Sequence, residues 1–548
     1  MPSAALYSTC LLVLAALAFA ACGQDERASP STVSLAADPE VAAATLQLAA
    51  EFLAPRALDI VSAPDAEQAD LTVRLTGAEP GDALVTRYWV PVVSLDHPAA
   101  GLTMADLGEL VAGHVDDWSA LTGRPLPLRV LVPNDPVPPI ERWWPDNGRP
   151  PEALPLDEVR AALAGEEGVL ALLPLDAVDV AMRSLAVAGV NVVFGTGDIA
   201  TYPLVERIWL TTRQAEDDQF TQLLDQLADA VSRGLGVPAP APIILRATGD
   251  IIPARCAYAV QRDLGDLRHA YLELGPWLAE ADLTVGSLDA ALSDAGEPLG
   301  CVETFSLLAP AASVDGLAFA GFDVMTVATN HVKDCGVAPC GDQAFFETLA
   351  NLRAAGIEPV GAGADLAAAR APAIVTAGGV RFAFLGYDEI ATYYHAEPGV
   401  PGTAPLNEAF LREDVAAAAL AADVVVVLPQ WGVEYTADPT SGQRALAAAA
   451  VEAGAGLVIG NHPHWVQANA VIDGVFVAYA LGNFVFDQDW SVETQQGVVL
   501  EVAFHGTQAK GVRYHPIRIV DQHQPVFADE AEAGDILQRI WDASAALE

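Results

Sequence analysis

The stretch Gly456-Leu457-Val458-Ile459-Gly460-Asn461-His462-Pro463-His464 decides how the C-terminal half of this chain is read. Its first part is a short apolar run of the kind that forms a buried strand, and its end is polar. On an extended backbone, side chains two residues apart point the same way, so His462 and His464 are expected to grip one metal ion or two adjacent ones. A strand tipped with His-Pro-His in turn raises the question of what other strands carry at their tips.

Working outward, the same pattern recurs. Ile243 to Ala247 runs into Gly249-Asp250, Leu283 to Val285 into Ser287-Leu288-Asp289, and Phe322 to Val327 into Ala328-Thr329-Asn330-His331. Val424 to Leu428 runs into Gln430-Trp431-Gly432. Amphipathic helical stretches lie between these runs, with Gly321, Gly356 and Gly454 as their expected stops. Repeated strand and helix make an α/β architecture, and polar residues at C-terminal strand tips gather on one edge of a sheet, where open α/β folds place their sites. Asp250, Asp289, Asn330, His331, His462 and His464 then form a mixed oxygen and nitrogen set, suited to Mn, Fe or Zn rather than to Ca. The later runs Val475 to Leu481, Gly497 to Phe504 and Val512 to Ile519 alternate in polarity and read as an antiparallel second sheet; Asp529 to Leu547 reads as a closing helix.

The length of 548 residues exceeds one core and implies two or three domains. With Asp+Glu 72 against Lys+Arg 27, the formal charge is −45, which repels nucleic acid and anionic headgroups and argues against a DNA or RNA partner. At the N-terminus, Leu11 to Ala21 has the length of a signal-peptide apolar region and is too short to span a bilayer. Cleavage of an ordinary signal is one reading of its end. The other is that Phe19-Ala20-Ala21-Cys22 resembles a bacterial lipobox, which would make Cys22 a lipidation site and hold the protein at the outer face of the cell membrane; secreted or periplasmic protein is the alternative. Of the remaining cysteines, Cys256, Cys301, Cys335 and Cys340 permit two disulfides, with pairing left open. Cys335 and Cys340 are near enough in sequence to staple one loop, and the spacings fit no usual zinc knot.

The expected organisation is a signal over 1–22, a tether over 23–36, an α/β domain over 37–235, a Pro-rich linker over 236–242, a second domain over 243–525 and a C-terminal helix over 526–548. In the first domain, Pro39 to Leu53 reads as a helix, Leu58 to Val61, Leu71 to Leu75 and Tyr88 to Val93 as strands, and Thr103 with Asp106 as a capping box for a helix stopped at Gly113. The segment Gly101-Leu102-Thr103 through Leu107, Gly113 and Trp118 resembles type II periplasmic solute-binding proteins, especially the phosphate-binding kind. Gly168 to Pro174 and Tyr202 to Leu210 agree with that resemblance, which covers about 35–235.

The second domain resembles the CapA family of capsule or poly-γ-glutamate biosynthesis proteins, related to calcineurin-like metallophosphoesterases. The motifs are Thr248-Gly249-Asp250, Ala281 to Asp289, Ala320 to His331 with Asp334 and Gly336, Gly361-Ala362-Gly363, Gln430 to Tyr435, His462-Pro463-His464 and Leu481 to Phe486. The resemblance implies a metallophosphoesterase-like αββα sandwich following a solute-binding-like α/β domain. It implies Asp250 on a first metal, Asp289 between two metals, Asn330 on the second, His462 and His464 completing the shells, and His331 free as a general acid. One or two Mn, Fe or Zn ions would serve a hydrolase acting on a cell-surface polymer or phosphoester. A non-catalytic surface lipoprotein that binds a polymer or small anion is the alternative. Three motifs depart from the family pattern: Ser287-Leu288-Asp289 stands for Asn-Leu-Glu, Ala328-Thr329-Asn330-His331 stands for Ala-Asn-Asn-His and keeps its last two positions, and Gln430 stands where His is usual, which offers a weaker amide oxygen to the second metal.

Overall fold

A computed structural model describes residues 32–37, 39–56, 58–63, 69–74, 83–144, 150–213, 218–235 and 241–547. The segment expected to be a signal peptide, Cys22, the first part of the expected tether and residues 236–240 of the Pro-rich stretch lie outside the described residues. Among the described residues no helix is long and apolar enough to cross a membrane. The chain divides into two compact units, one made of residues 1–83 and 209–234 and the other of 84–208 and 235–548.

In the first unit, Asp59–Ser62, Thr32–Ala37 and Leu71–Arg74 form parallel neighbours, and Trp209 to Thr212 runs antiparallel to the last. Thr32–Ala37 was expected to belong to the tether; it is a strand because Val33 and Leu35 alternate into the core. Asp70 is buried and accepts from the backbone N–H and hydroxyl of Ser34 and from Arg213. Burial opposes its charge, but these partners hold its carboxyl below the ordinary range.

In the second unit, residues 84–208 contribute Ala83–Ser94 antiparallel to Val169–Pro174, with Arg129–Pro133 and Glu152–Leu154 parallel beyond it. The helix Met104–Val111 starts with the expected reciprocal cap: Thr103 Oγ1 accepts from the Asp106 N–H at 3.1 Å, and Asp106 Oδ2 accepts from the Thr103 N–H at 3.0 Å. Trp118 is fully buried and donates its indole N–H to the Gly168 carbonyl.

Residues 241–547 build two facing sheets. The first orders Glu358–Val360, Val324–Thr326, Leu283–Leu288, Ile243–Ile251, Gln496–His505, Gln508–Val520 and Gln524–Phe527, with Asn483–Val485 joining the end of Ile243–Ile251. The second orders Ala373–Ala377, Val380–Asp388, Val424–Gln430, Leu457–Ile459, Val475–Ala478 and Asn469–Ile472. The runs expected to make one antiparallel second sheet are split between them: Gln496–His505 and Gln508–Val520 extend the first, while Val475–Ala478 pairs parallel with Leu457–Ile459 in the second. Period-two alternation places side chains on faces but carries no record of which strand lies alongside.

That alternation does fix the layers. Phe382, Phe384, Val424, Val426 and Leu428 meet Leu245, Val285 and Leu500 between the sheets. Their neighbours Leu385, Val425 and Val427 face outward against Leu411, Val415 and Ala447 of the helices Glu408–Ala421 and Ser441–Ala453. Ile251, Leu288 and Met325 cover the other outer face with Leu317, Phe345 and Leu352. The order is therefore helices, sheet, sheet, helices. Each fully buried Leu, Val or Phe in these layers contributes about 1.5–3 kcal/mol. The helix Ser441–Ala453 shows the local logic: a Thr440–Gln443 capping box opens it, and Gly454 closes it at φ +111°.

The grouping of 84–208 with the sandwich has specific contacts behind it. Lys510 Nζ donates to the Asp176 carbonyl at 2.6 Å, His505 Nε2 donates to the Val193 carbonyl at 2.8 Å, and the Arg513 guanidinium lies 3.6 Å from the centre of the Phe194 ring. Val180 joins the core between the sheets, and Ala503 joins the core of 84–208.

Candidate metal centre

Five parallel strands of the two sheets end in polar residues on one rim. Asp250 is the penultimate residue of Ile243–Ile251, Asp289 follows Leu283–Leu288, and Asn330 and His331 follow Val324–Thr326. From the second sheet, Gln430 ends Val424–Gln430, and Asn461 to His464 follow Leu457–Ile459. The rim is thus fed by both sheets. Glycines let the backbones close on it. A Cβ on Gly249 would lie 1.9 Å from the Gly482 carbonyl oxygen, and one on Gly460 would lie 2.2 Å from Trp431 Nε1.

The side chains converge through specific contacts. The His462 N–H donates to Asp250 Oδ2 at 3.2 Å, and His464 Nδ1 lies 3.4 Å from the same oxygen. His464 Nδ1 also donates to Asn483 Oδ1 at 2.9 Å, which leaves the lone pair on Nε2. Gln430 Nε2 donates to Asn330 Oδ1 at 3.1 Å, and Gln430 bridges in parallel to Asn461. His331 Nδ1 donates to Asp334 Oδ2 at 2.7 Å, and Asp334 in turn accepts from the Leu307 N–H.

The two imidazoles do meet, with ring centroids 6.1 Å apart, but not for the expected reason. The backbone is not extended there: His462 takes φ +102° and His464 φ +59°, on either side of Pro463. Such conformations cost a non-glycine residue of order 1–3 kcal/mol and persist where surrounding structure enforces them. In chelated protein His462→Gly is therefore expected to be more stable than His462→Ala by about 1 kcal/mol, read from urea unfolding. Equal midpoints would mean that the backbone at this position is unstrained.

Electrostatics separates the groups into roles. Burial, then the positive fields of His464 and His331, lowers the pKa of His462 to about 3, so its ring is neutral and carries a lone pair. Burial also works against the His331 cation, but the Asp289 and Asp334 carboxylates outweigh it and raise its pKa to about 9. Burial raises Asp289 to about 6; His331 counteracts this and the Asp250 charge adds to it.

One property of the rim stands out chemically. Asp250 Oδ1, both carboxylate oxygens of Asp289, Gln430 Oε1, Asn461 Oδ1 and His462 Nδ1 are buried with no hydrogen-bond partner. Among the described residues no three His, Cys, Asp or Glu side chains are already closed around a point as a metal shell. The unpartnered atoms are nevertheless lone-pair donors of the hard and borderline kinds that divalent transition ions take, and in that sense the residues present fit such an ion.

The segments singled out in the sequence meet on this rim, and three further residues join them. Asn461 was quoted within the His-Pro-His stretch without a role, Asn483 within Leu481 to Phe486, and Asp334 beside His331. Asp334 is three residues from the His331 that it holds and Asn461 adjoins His462, whereas Asn483 stands nineteen residues from His464 and gives no local signal. The four cysteines form Cys256–Cys301 and Cys335–Cys340, the second directly after Asp334.

Residues 244–488 match the family described as "Bacterial capsule synthesis protein PGA_cap". Over these residues the chain is similar to that family. The PGA_cap segment carries every rim residue named above. The chain is similar to the PGA biosynthesis protein CapA of Bacillus subtilis (strain 168), 29% identical over 299 residues, covering 53% of this chain and 76% of that one. It is similar also to the capsule biosynthesis protein CapA of Bacillus anthracis, 31% identical over 250 residues, covering 44% of this chain and 59% of that one. Among solved structures, an ABC-type phosphate transport receptor from Vibrio cholerae aligns with 12% identity and a TM-score of 0.30, over 38% of this chain and 100% of that one; a likeness at that score carries no argument.

Proposed function

We infer that this protein is an exported component of capsule or cell-surface polymer biosynthesis. In this reading its rim is a metal-dependent hydrolase centre of the metallophosphoesterase type, acting on a phosphoester or a similar tetrahedral group. The names of the relatives supply the polymer setting, with poly-γ-glutamate as one candidate. Two disulfides fit an oxidising compartment outside the cytoplasm, and a lipid on Cys22 would anchor the chain at the outer face of the membrane.

The observation that carries the reading is the set of unpartnered buried atoms on Asp250, Asp289, Gln430, Asn461 and His462. Buried carboxylates without hydrogen bonds cost several kcal/mol each, and a cation between them offsets that cost. Asp250, Asp289, Asn330, Gln430, His462 and His464 would hold one or two ions of Mn, Fe or Zn. Such ions supply activation of water and polarisation of the oxygens of a tetrahedral centre. The chain supplies the rest. Asp334 fixes the His331 ring through Nδ1, leaving Nε2 to give a proton to a leaving oxygen. Asn483 fixes the His464 ring in the same manner. With Gln430 donating to Asn330, the second position is held by amides and is the weaker of the two.

The test is elemental analysis of protein purified without chelator and resupplied with metals. At least one equivalent of a transition metal is expected, and a lower content in His462→Ala. No bound metal in the wild type would end the enzymatic reading.

A further inference from the structure

The rim has an aromatic step leading out of it that the proposed chemistry does not use. The Tyr435 ring stacks beside His464, with centroids 6.0 Å apart and planes 25° apart. Trp490 stands edge-on to Tyr435, at 4.7 Å and 82°. Trp490 is 58% exposed, so its ring is open to a ligand from solvent. Neither ring is loosely placed. Gln488 Nε2 donates to the Tyr435 hydroxyl at 3.1 Å, and the Tyr435 N–H donates to the Pro463 carbonyl at 2.8 Å. Tyr435 also holds φ +62°, a conformation bulky residues adopt only where the surroundings impose it. On the other side, Thr494 Oγ1 donates to the Gln488 carbonyl at 2.9 Å and ties down the loop that carries Trp490.

The charges around this step select among the ligands that aromatic rings take. The Glu434 carboxylate immediately precedes Tyr435 in the chain. Glu389 accepts from the Gly432 N–H, and Asp489, beside Trp490, accepts from Gln522. The Arg255 guanidinium, which acts on Tyr435, is already engaged by Asp487. A polyanion such as a glutamate chain meets like charge here. A neutral sugar ring presents C–H groups to an indole face and hydroxyl donors to carboxylates, and both partners are available.

We propose that Trp490 and Tyr435 form a subsite that seats a neutral sugar ring of the substrate next to the His464 side of the rim. The proposal deepens the proposed function by naming part of the substrate, and it rests on that reading only for what happens beside the ring. The experiment is calorimetric titration of the full chain with chitotriose, cellotriose and a γ-linked glutamate oligomer, each in chelated and in metal-loaded protein. At least one trisaccharide is expected to bind in both states; Trp490→Ala weakens it about tenfold, and Trp490→Phe, which keeps a ring, weakens it less. No sugar binding by the wild type, equal binding by Trp490→Ala, or glutamate-oligomer binding that Trp490→Ala abolishes would overturn the proposal. Because chelated protein is titrated alongside, absence of a metal centre and absence of a sugar subsite give different results.

Discussion

His331→Ala is expected to lower turnover of bis(p-nitrophenyl) phosphate by metal-loaded protein by about 10²–10⁴-fold, the usual worth of a positioned proton donor. Metal content should stay near that of the wild type, since His331 is outside the proposed ligand set. Asp334→Asn should cost less, about 10–100-fold, because it loosens the ring without removing it. The ordering matters more than either number. Turnover in His331→Ala within threefold of the wild type would remove this residue from the chemistry. A His331→Ala variant that also loses its metal would make it a ligand instead.

The second large effect concerns stability. Without metal, the folded protein keeps the Asp250 and Asp289 carboxylates buried beside each other, with three of their four oxygens unpartnered. His331 and His464 offset only part of the cost of taking these charges out of water. Asp289→Asn deletes one of those charges. In chelator the variant is expected to be more stable than the wild type by about 1–3 kcal/mol, despite losing a residue of the proposed centre. Metal should reverse the order. At a free concentration about 100 times its Kd, an ion that binds only folded protein adds about 2.7 kcal/mol to the wild type, and much less to Asp289→Asn. Thermal melts of both proteins with chelator and with Mn or Zn read all four states. A chelated variant that melts below the chelated wild type would mean that the His331 and His464 charges, without an ion, already compensate the burial of Asp289.

Several features were legible in the sequence because they are local. The Thr103 and Thr440 caps, the helix stops at Gly321, Gly356 and Gly454, and the gathering of polar residues at strand tips all follow from a few neighbouring residues. The alternation of Val424 to Leu428 likewise shows which side chains face each core. What escaped depends on distant chain. Gln496–His505 and Val475–Ala478 have similar patterns yet lie in different sheets, because their partners are chosen by crossovers far away in sequence. The histidine pair was placed correctly by a rule that does not apply there, since Pro463 and the enclosing loops force positive φ at His462 and His464. The service of Asn483 to His464 spans nineteen residues and two chain reversals, and no short motif encodes it.

The seam formed by Phe194, Arg513, Lys510 and Val180 has a practical consequence for anyone trimming this protein. Cutting just before Ile243, where the Pro-rich stretch invites it, would strip cover from Gly511, Arg513 and the flank of the sandwich. Such a fragment should be poorly soluble even though it contains the whole PGA_cap match. A workable shorter version would have to retain 84–208 and dispense only with segments of the smaller unit.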